Sequence, residues 1–246
     1  MAVRSAGRGV RLGILFVLAA VVAAGVAAVP ASAAPTPTTL TAKAQASTIV
    51  YGKKTVITGT LATAEDPPLP VGGQWVDVYY GLSASGPWNL LAQVTTDAAQ
   101  YATGQYAAAV VPQQHTWYQF RFAGTAAYAA IPSNIIDIQV RPALGKPNTP
   151  RTVRHGTKFT VWGTLKPHFT AGARTVKVKV YRMNSHRKWV WYKTVAAKNY
   201  DYRTFTKYKV GLKLTRSGTY RFRATTLATA SWAAGKSVSS RWLTVR

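Results

Sequence analysis

The same order of short, alternating apolar stretches occurs twice along this chain, about 100 residues apart, and that duplication restricts the fold more than any other feature. A strand that buries one face alternates inward and outward side chains, so "TVKVKVYRM" and "GTYRFRATT", bounded by Gly, Pro, Asn and Ser, read as half-buried strands. The first half offers "KTVITGTL", "QWVDVYYG", "WNLLAQVTT", "GQYAAAVVP", "TWYQFRFAG" and "NIIDIQVRP". The second offers "KFTVWGTL", "TVKVKVYRM", "KWVWYKTV", "TKYKVGLKL", "GTYRFRATT" and "RWLTVR" in the same order. Gly52, Gly59 and Leu61 overlay Gly156, Gly163 and Leu165; Val78 and Tyr79 overlay Val180 and Tyr181; Trp88 overlays Trp189; Tyr118 and Phe120 overlay Tyr220 and Phe222. Each repeat is therefore one domain, and the expected fold class is all-β, two tandem antiparallel β-sandwiches, with no sustained helical period past the N-terminus.

Residues 1–34 read as a signal peptide: Arg4, Arg8 and Arg11 precede the apolar run Leu12 to Val29, and Pro30 breaks it ahead of the A-x-A pattern Ala31-Ser32-Ala33. Residues 35–45 form a Pro/Thr-rich spacer, 46–142 the first domain, 143–150 a proline-punctuated linker and 151–246 the second domain. With no Cys in the chain, stability is assigned to packed cores rather than to disulfides. The expected location is extracellular, including association with the cell wall, with no stable membrane insertion once the leader is cleaved.

The succession "YGKKTVITGTL", "VDVYY", a Trp-bearing strand, "GQYAAAV" and "YQFRFAGTAAY" resembles the tandem Ig-like or fibronectin type III-like repeats of secreted and cell-surface bacterial proteins. The resemblance spans nearly all of the chain past the leader. It implies Ig-like sandwiches serving as spacers, adhesive modules or accessory domains, and a sandwich by itself licenses no activity. It further implies that the strand carrying Lys177 and Lys179 lies beside the one carrying Arg221 and Arg223, and that the Lys207 strand belongs to the opposite sheet. The last strand should then place Trp242 and Arg246 on the arginine face.

Charge divides the two halves. Between Pro35 and Pro142 five cations meet five carboxylates, whereas from Ala143 onward 23 cations face a single carboxylate, Asp201. Alternation directs Val176, Val178 and Val180 inward and Lys177 and Lys179 outward. The same rule buries Tyr220, Phe222 and Ala224 and exposes Arg221 and Arg223; it buries Tyr208, Val210, Leu212 and Leu214 and exposes Lys207, Lys209 and Lys213. Two lysines two positions apart on a strand, roughly 7 Å, repel by about 0.6 kcal/mol in water and by a few tenths at physiological salt. Folding tolerates that, so solubility and edge protection are one reading of the charge. The near absence of acids favours the other, polyanion contact through Lys177, Lys179, Lys207, Lys209, Lys213, Arg221, Arg223 and Arg246.

Catalytic patterns are not found. His115, His155, His168 and His186 show no metal-ligand spacing and read as loop or surface residues. The second domain lacks the paired carboxylates of glycoside hydrolysis, while Glu65 and Asp66 share a proline-rich loop with too few ligands for calcium. No G-x-S-x-G stretch or glycine-rich phosphate loop occurs, so neither enzyme activity, metal nor cofactor is expected. Trp189, Trp191 and Trp242 are candidate stacking aromatics; Trp88, which overlays Trp189 without the basic setting, tips the reading of Trp189 and Trp191 toward a core or sheet-packing role.

The function expected is a secreted, non-enzymatic protein whose basic second domain binds cell-wall polymer, polysaccharide or extracellular DNA, with non-specific nucleic acid contact included. A ligand-free spacer or adhesive module, and a carbohydrate-binding accessory domain, are the alternatives. No protein partner is indicated.

Overall fold

The computed structural model describes residues 33–97 and 103–246. The expected signal peptide, 1–34, falls almost wholly outside the described residues. Among the described residues no helix is long and apolar enough to cross a membrane.

Alternating sequence becomes ten strands in the first sandwich. They are β1 (Thr38–Leu40), β2 (Lys43–Ala44), β3 (Thr48–Val50), β4 (Thr55–Thr63), β5 (Trp75–Gly81), β6 (Asn89–Thr95), β7 (Gln105–Val110), β8 (Thr116–Phe122), β9 (Ile131–Pro132) and β10 (Ile136–Arg141). One sheet sets β1 and β2 along one edge of β4 and β7 along the other. The second sheet has the order β3-β10-β8-β5-β6, with β3 parallel to β10 and β9 paired to β8. Ile57 and Leu61 from β4 and Tyr106, Ala108 and Val110 from β7 meet Val76, Val78, Tyr118, Phe120, Phe122, Ile138 and Val140 between the sheets.

Eight strands build the second sandwich: β11 (Ala143–Leu144), β12 (Thr152–Val153), β13 (Lys158–Lys166), β14 (Val176–Met183), β15 (Trp189–Tyr202), β16 (Phe205–Lys213), β17 (Gly218–Thr226) and β18 (Leu243–Val245). They form one continuous path, β11-β13-β16-β15-β14-β17-β18-β12, rolled around Val176, Val178, Val180, Tyr208, Leu212, Leu214, Tyr220, Phe222 and Leu243. The roll closes through β15, whose first part pairs with β14 from Trp189 to Ala197 and whose second part, Lys198 to Tyr202, pairs with β16. The described residues are thus all-β and built of Ig-like sandwiches, and each of the twelve alternating stretches named above carries a strand.

Two expected boundaries move. The spacer 35–45 contains β1 and β2, because Thr38, Leu40 and Ala42 alternate inward and are buried in the first sandwich despite their Pro/Thr-rich setting. The linker 143–150 contains β11, paired to β13, and Asn148 is bridged to Trp162, so this segment is the opening edge of the second sandwich. Prolines read as a spacer are tolerated here because an edge strand needs only one side's hydrogen bonds.

The long connection after β17 lies against the first sandwich. His115 N donates to Ser231 O (3.0 Å) and Ala233 N to Val140 O (2.9 Å). The Trp232 ring sits 6.0 Å from Tyr51 of the first sandwich and 5.7 Å from Phe169 of the second. Residues Pro35–Arg246 accordingly form one compact unit.

The duplication extends to a device in each core. Tyr106 of β7 crosses Gly59 and donates to Thr41 O; Tyr208 of β16 crosses Gly163 and donates to Gly145 O at 3.1 Å. A Cβ at either glycine would run into the tyrosine ring, which is why both positions are glycine. Burial raises the Tyr106 and Tyr208 hydroxyls and pushes Tyr118 from 10.0 up to about 12. The unfolded chain releases these protons above about pH 10, whereas the folded chain keeps them. Their contribution to stability is therefore complete below pH 10 and declines as pH rises from 10 toward 12, by on the order of 1.4 kcal/mol per pH unit for each tyrosine. Urea midpoints followed through that range, with tyrosinate absorbance as the ionisation readout, should fall together. Midpoints that stay level while tyrosinate forms would contradict this.

Candidate anion-binding faces of the second sandwich

β14 and β17 are antiparallel neighbours, with Lys179 opposite Arg223, Lys177 opposite Thr225 and Tyr181 opposite Arg221. Since Val176, Val178, Val180, Tyr220, Phe222 and Ala224 are all buried, pleating sends these cations to the other side of the sheet. In the first sandwich the equivalent pair is Asp77 opposite Arg121. The second sandwich replaces an opposite-charge pair with a like-charge pair.

Among the described residues no ion pair compensates it. Asp201, the single carboxylate from Ala143 onward, lies 3.5 Å from His168 at the far part of β15. The Nε atoms of Arg221 and Arg223 are buried without hydrogen-bond partners. Burial, and next the charge of Arg223, pull the Arg221 guanidinium below its ordinary value.

Aromatic rings frame this row. The Arg221 guanidinium lies 4.4 Å from the Trp189 ring, and Trp189 lies 6.2 Å from Trp242. Trp242, just before β18, is 63% exposed and Trp191 is 60% exposed. Trp189 and Trp191 therefore do not fill the core, contrary to the reading tipped by Trp88. A register shift after Val180 makes room for the intervening Tyr192, and it is Tyr192 that packs edge-on against Tyr220 at 5.7 Å. Trp88 itself is no core residue, for it stands 5.9 Å from the Arg121 guanidinium.

Lys207, Lys209 and Lys213 occupy β16 in the sheet across the core. The candidate cations of β14 and β17 and those of β16 therefore lie on two different faces. On the β16 face the Lys207 Nζ lies 4.0 Å from the Tyr202 ring and 4.8 Å from Trp162, and Lys209 lies 4.8 Å from Tyr200. Arg246 is exposed just beyond β18, its amide bonded to Val153 O.

The sequence reading missed two cations that join the Lys177–Lys179 face. Arg141, at the end of β10, and Lys236, in the connection before β18, line a groove of about 700 Å3 together with Lys177, Lys179, Thr194, Thr225, Thr226 and Gly235. Arg141 was counted into the neutral module and Lys236 lies outside any alternating stretch, so neither strand periodicity nor module charge pointed to them.

Of the histidines, His155 is bonded to Thr215 O at 2.7 Å and His186 lies 3.4 Å from Ser185. His115 lies in the loop before β8, half-buried, and its Nε2 finds no partner among the described residues. Among the described residues no three His, Asp or Glu side chains come together as a metal site.

No family model matches the chain, and no curated protein matches it. Among solved structures it is similar to an ICAM-5 D1–D4 ectodomain fragment at 10% identity and a TM-score of 0.40, over 84% of this chain and 53% of that one. The chain thus spans about half the length of that structure.

The like-charge pair makes a direct prediction. Lys179→Asp restores the arrangement of the first sandwich and should raise stability by about 0.2–1 kcal/mol while weakening retention on a polyanion. Urea unfolding and salt elution of the same variant would read the two effects, and a variant that lost both stability and retention would show Lys179 to be structural.

Proposed function

We propose that this is a non-enzymatic Ig-like protein of the cell exterior whose second sandwich binds anionic polymer by electrostatics. The observation that carries the reading is Lys179 set against Arg223, beside Arg221 and Lys177, on a face with no carboxylate among its neighbours. Proteins that need charge only for solubility mix both signs on a surface. A row of cations instead displaces condensed counterions from a polymer, which supplies affinity with little selectivity for sequence or sugar. Cell-wall polymer, anionic polysaccharide and extracellular DNA all present the required charge, and the leader-like residues 1–34 support the exterior location.

The test is retention of the full chain on a phosphate-bearing wall polymer, a heparin-like glycan and DNA over a salt series. Engagement of Lys177, Lys179, Arg221 and Arg223 predicts a log–log slope of about −3.6 on duplex DNA. No retention beyond that of a charge-matched control protein would leave a spacer module. The exposure of Trp191 and Trp242, 60% and 63%, favours a second reading as a carbohydrate-binding module. It predicts instead that a neutral glycan is held and that high salt leaves the binding intact.

A further inference from the structure

Resting on the polyanion reading, we propose that the groove at the junction of the two sandwiches is a seat for the phosphate groups of a phosphodiester-linked polymer. Its cations come from three parts of the chain: Lys177 and Lys179 from β14, Lys236 from the connection before β18, and Arg141 from the first sandwich. Neither domain alone supplies the set, and no carboxylate lines it.

The groove is held in shape by bonds from both sides. Thr226 N donates to Gly235 O (3.0 Å) and Gly235 N to Thr226 Oγ1 (2.9 Å). Thr225 is bridged to Lys236, and Ala233 N donates to Val140 O, one residue before Arg141 (2.9 Å). A Cβ at Gly235 would fall 2.8 Å from Thr226 Oγ1 and 3.3 Å from Pro142 O, so glycine is what allows the connection to approach the first sandwich this closely.

A hydroxyl completes the donor set. Thr226 Oγ1 accepts from Gly235 N, and Thr194 Oγ1 accepts from the Trp191 indole at 3.1 Å. Thr194 is exposed and keeps its O–H as a donor beside that accepted bond, while the buried Thr226 holds the connection in place. Donors from β14, β15, β10 and the connection before β18 suit tetrahedral oxygens pointing in several directions. A planar carboxylate presents its two oxygens in one plane and meets fewer of them at once. The volume of about 700 Å3 admits more than one phosphate, which is the spacing problem a polymer solves and a free ion does not.

Tripolyphosphate titrated into the isotope-labelled full chain is the direct test. The expected result is amide shifts concentrated at Thr194, Thr226, Gly235 and Lys236. Arg141→Gln and Lys236→Gln, both at exposed side chains, should each weaken binding about tenfold with unfolding unchanged. Lys158→Gln and Lys188→Gln, which alter the same net charge outside the groove, should change it less than twofold. Shifts spread over both lysine faces, or equal losses in the control pair, overturn the inference. On columns, a glycerol-phosphate polymer and DNA should both lose retention with Arg141→Gln, and whichever loses more identifies the source of the phosphate. A polymer whose charges are carboxylates alone, such as polyglutamate, should not respond, and equal sensitivity there would refute selection for tetrahedral oxygens. If polymers are held but Arg141→Gln and Lys236→Gln bind like the parent, this inference fails and the face reading stands. If tripolyphosphate localises yet no polymer is held, the polyanion reading fails and the groove is a site for free polyphosphate instead of a polymer.

Discussion

Replacing Lys177, Lys179, Arg221 and Arg223 together by Gln should lower affinity for duplex DNA at moderate salt by about a thousandfold and flatten the log–log salt slope by about 3.6. Each removed cation is one fewer counterion released, so the slope reports the number of contacts independently of absolute affinity. The four positions share one outward face of β14 and β17, and their neighbours Val176, Val178, Val180, Tyr220 and Phe222 are buried. The core is therefore untouched, and relief of the Lys179–Arg223 repulsion should leave the variant at least as stable as the parent. The corresponding change at Lys207, Lys209 and Lys213 tests the β16 face separately. If the β16 variant accounts for the whole loss, the candidate site lies on the other side of the sandwich.

The second large effect is structural. Phe222→Ala should cost about 3–5 kcal/mol, because its ring is completely buried and sits edge-on to Phe159 at 6.1 Å. Phe120 occupies the equivalent place in the first sandwich, against Tyr106 at 5.0 Å, and its truncation should cost a similar amount. Urea denaturation with tryptophan fluorescence would measure both. A loss below about 1 kcal/mol in either would mean that the core had collapsed into the cavity or that the strand is not packed as described.

These two experiments probe what period-two alternation made legible. Val176, Val178 and Val180 against Lys177 and Lys179 could be assigned to faces from the sequence because every second residue belongs to one class. The same reasoning had little purchase on β1, β2 and β11, whose two or three residues are too few to show a period. For Trp189 and Trp191 the side taken depends on a register shift after Val180, and periodicity assumes an unbroken register. The groove was invisible for a different reason. Arg141 and Lys236 meet Lys177 only because Ser231, Trp232 and Ala233 dock on the first sandwich, and that docking is carried by backbone bonds and one ring, not by any repeating pattern.

The passage of β15 from one sheet to the other also governs how the second sandwich can breathe. On that flank the two layers share a single strand, so prying them apart must sever ladder bonds to β14 or to β16 as well as strip away packing. The opposite flank ends in the two-residue strands β11 and β12, which are tied only at their inner neighbours. Transient opening should therefore proceed like a book with its spine at β15, and amide deuterium uptake should begin at Ala143, Leu144, Thr152 and Val153 and reach Val195 and Ala197 last.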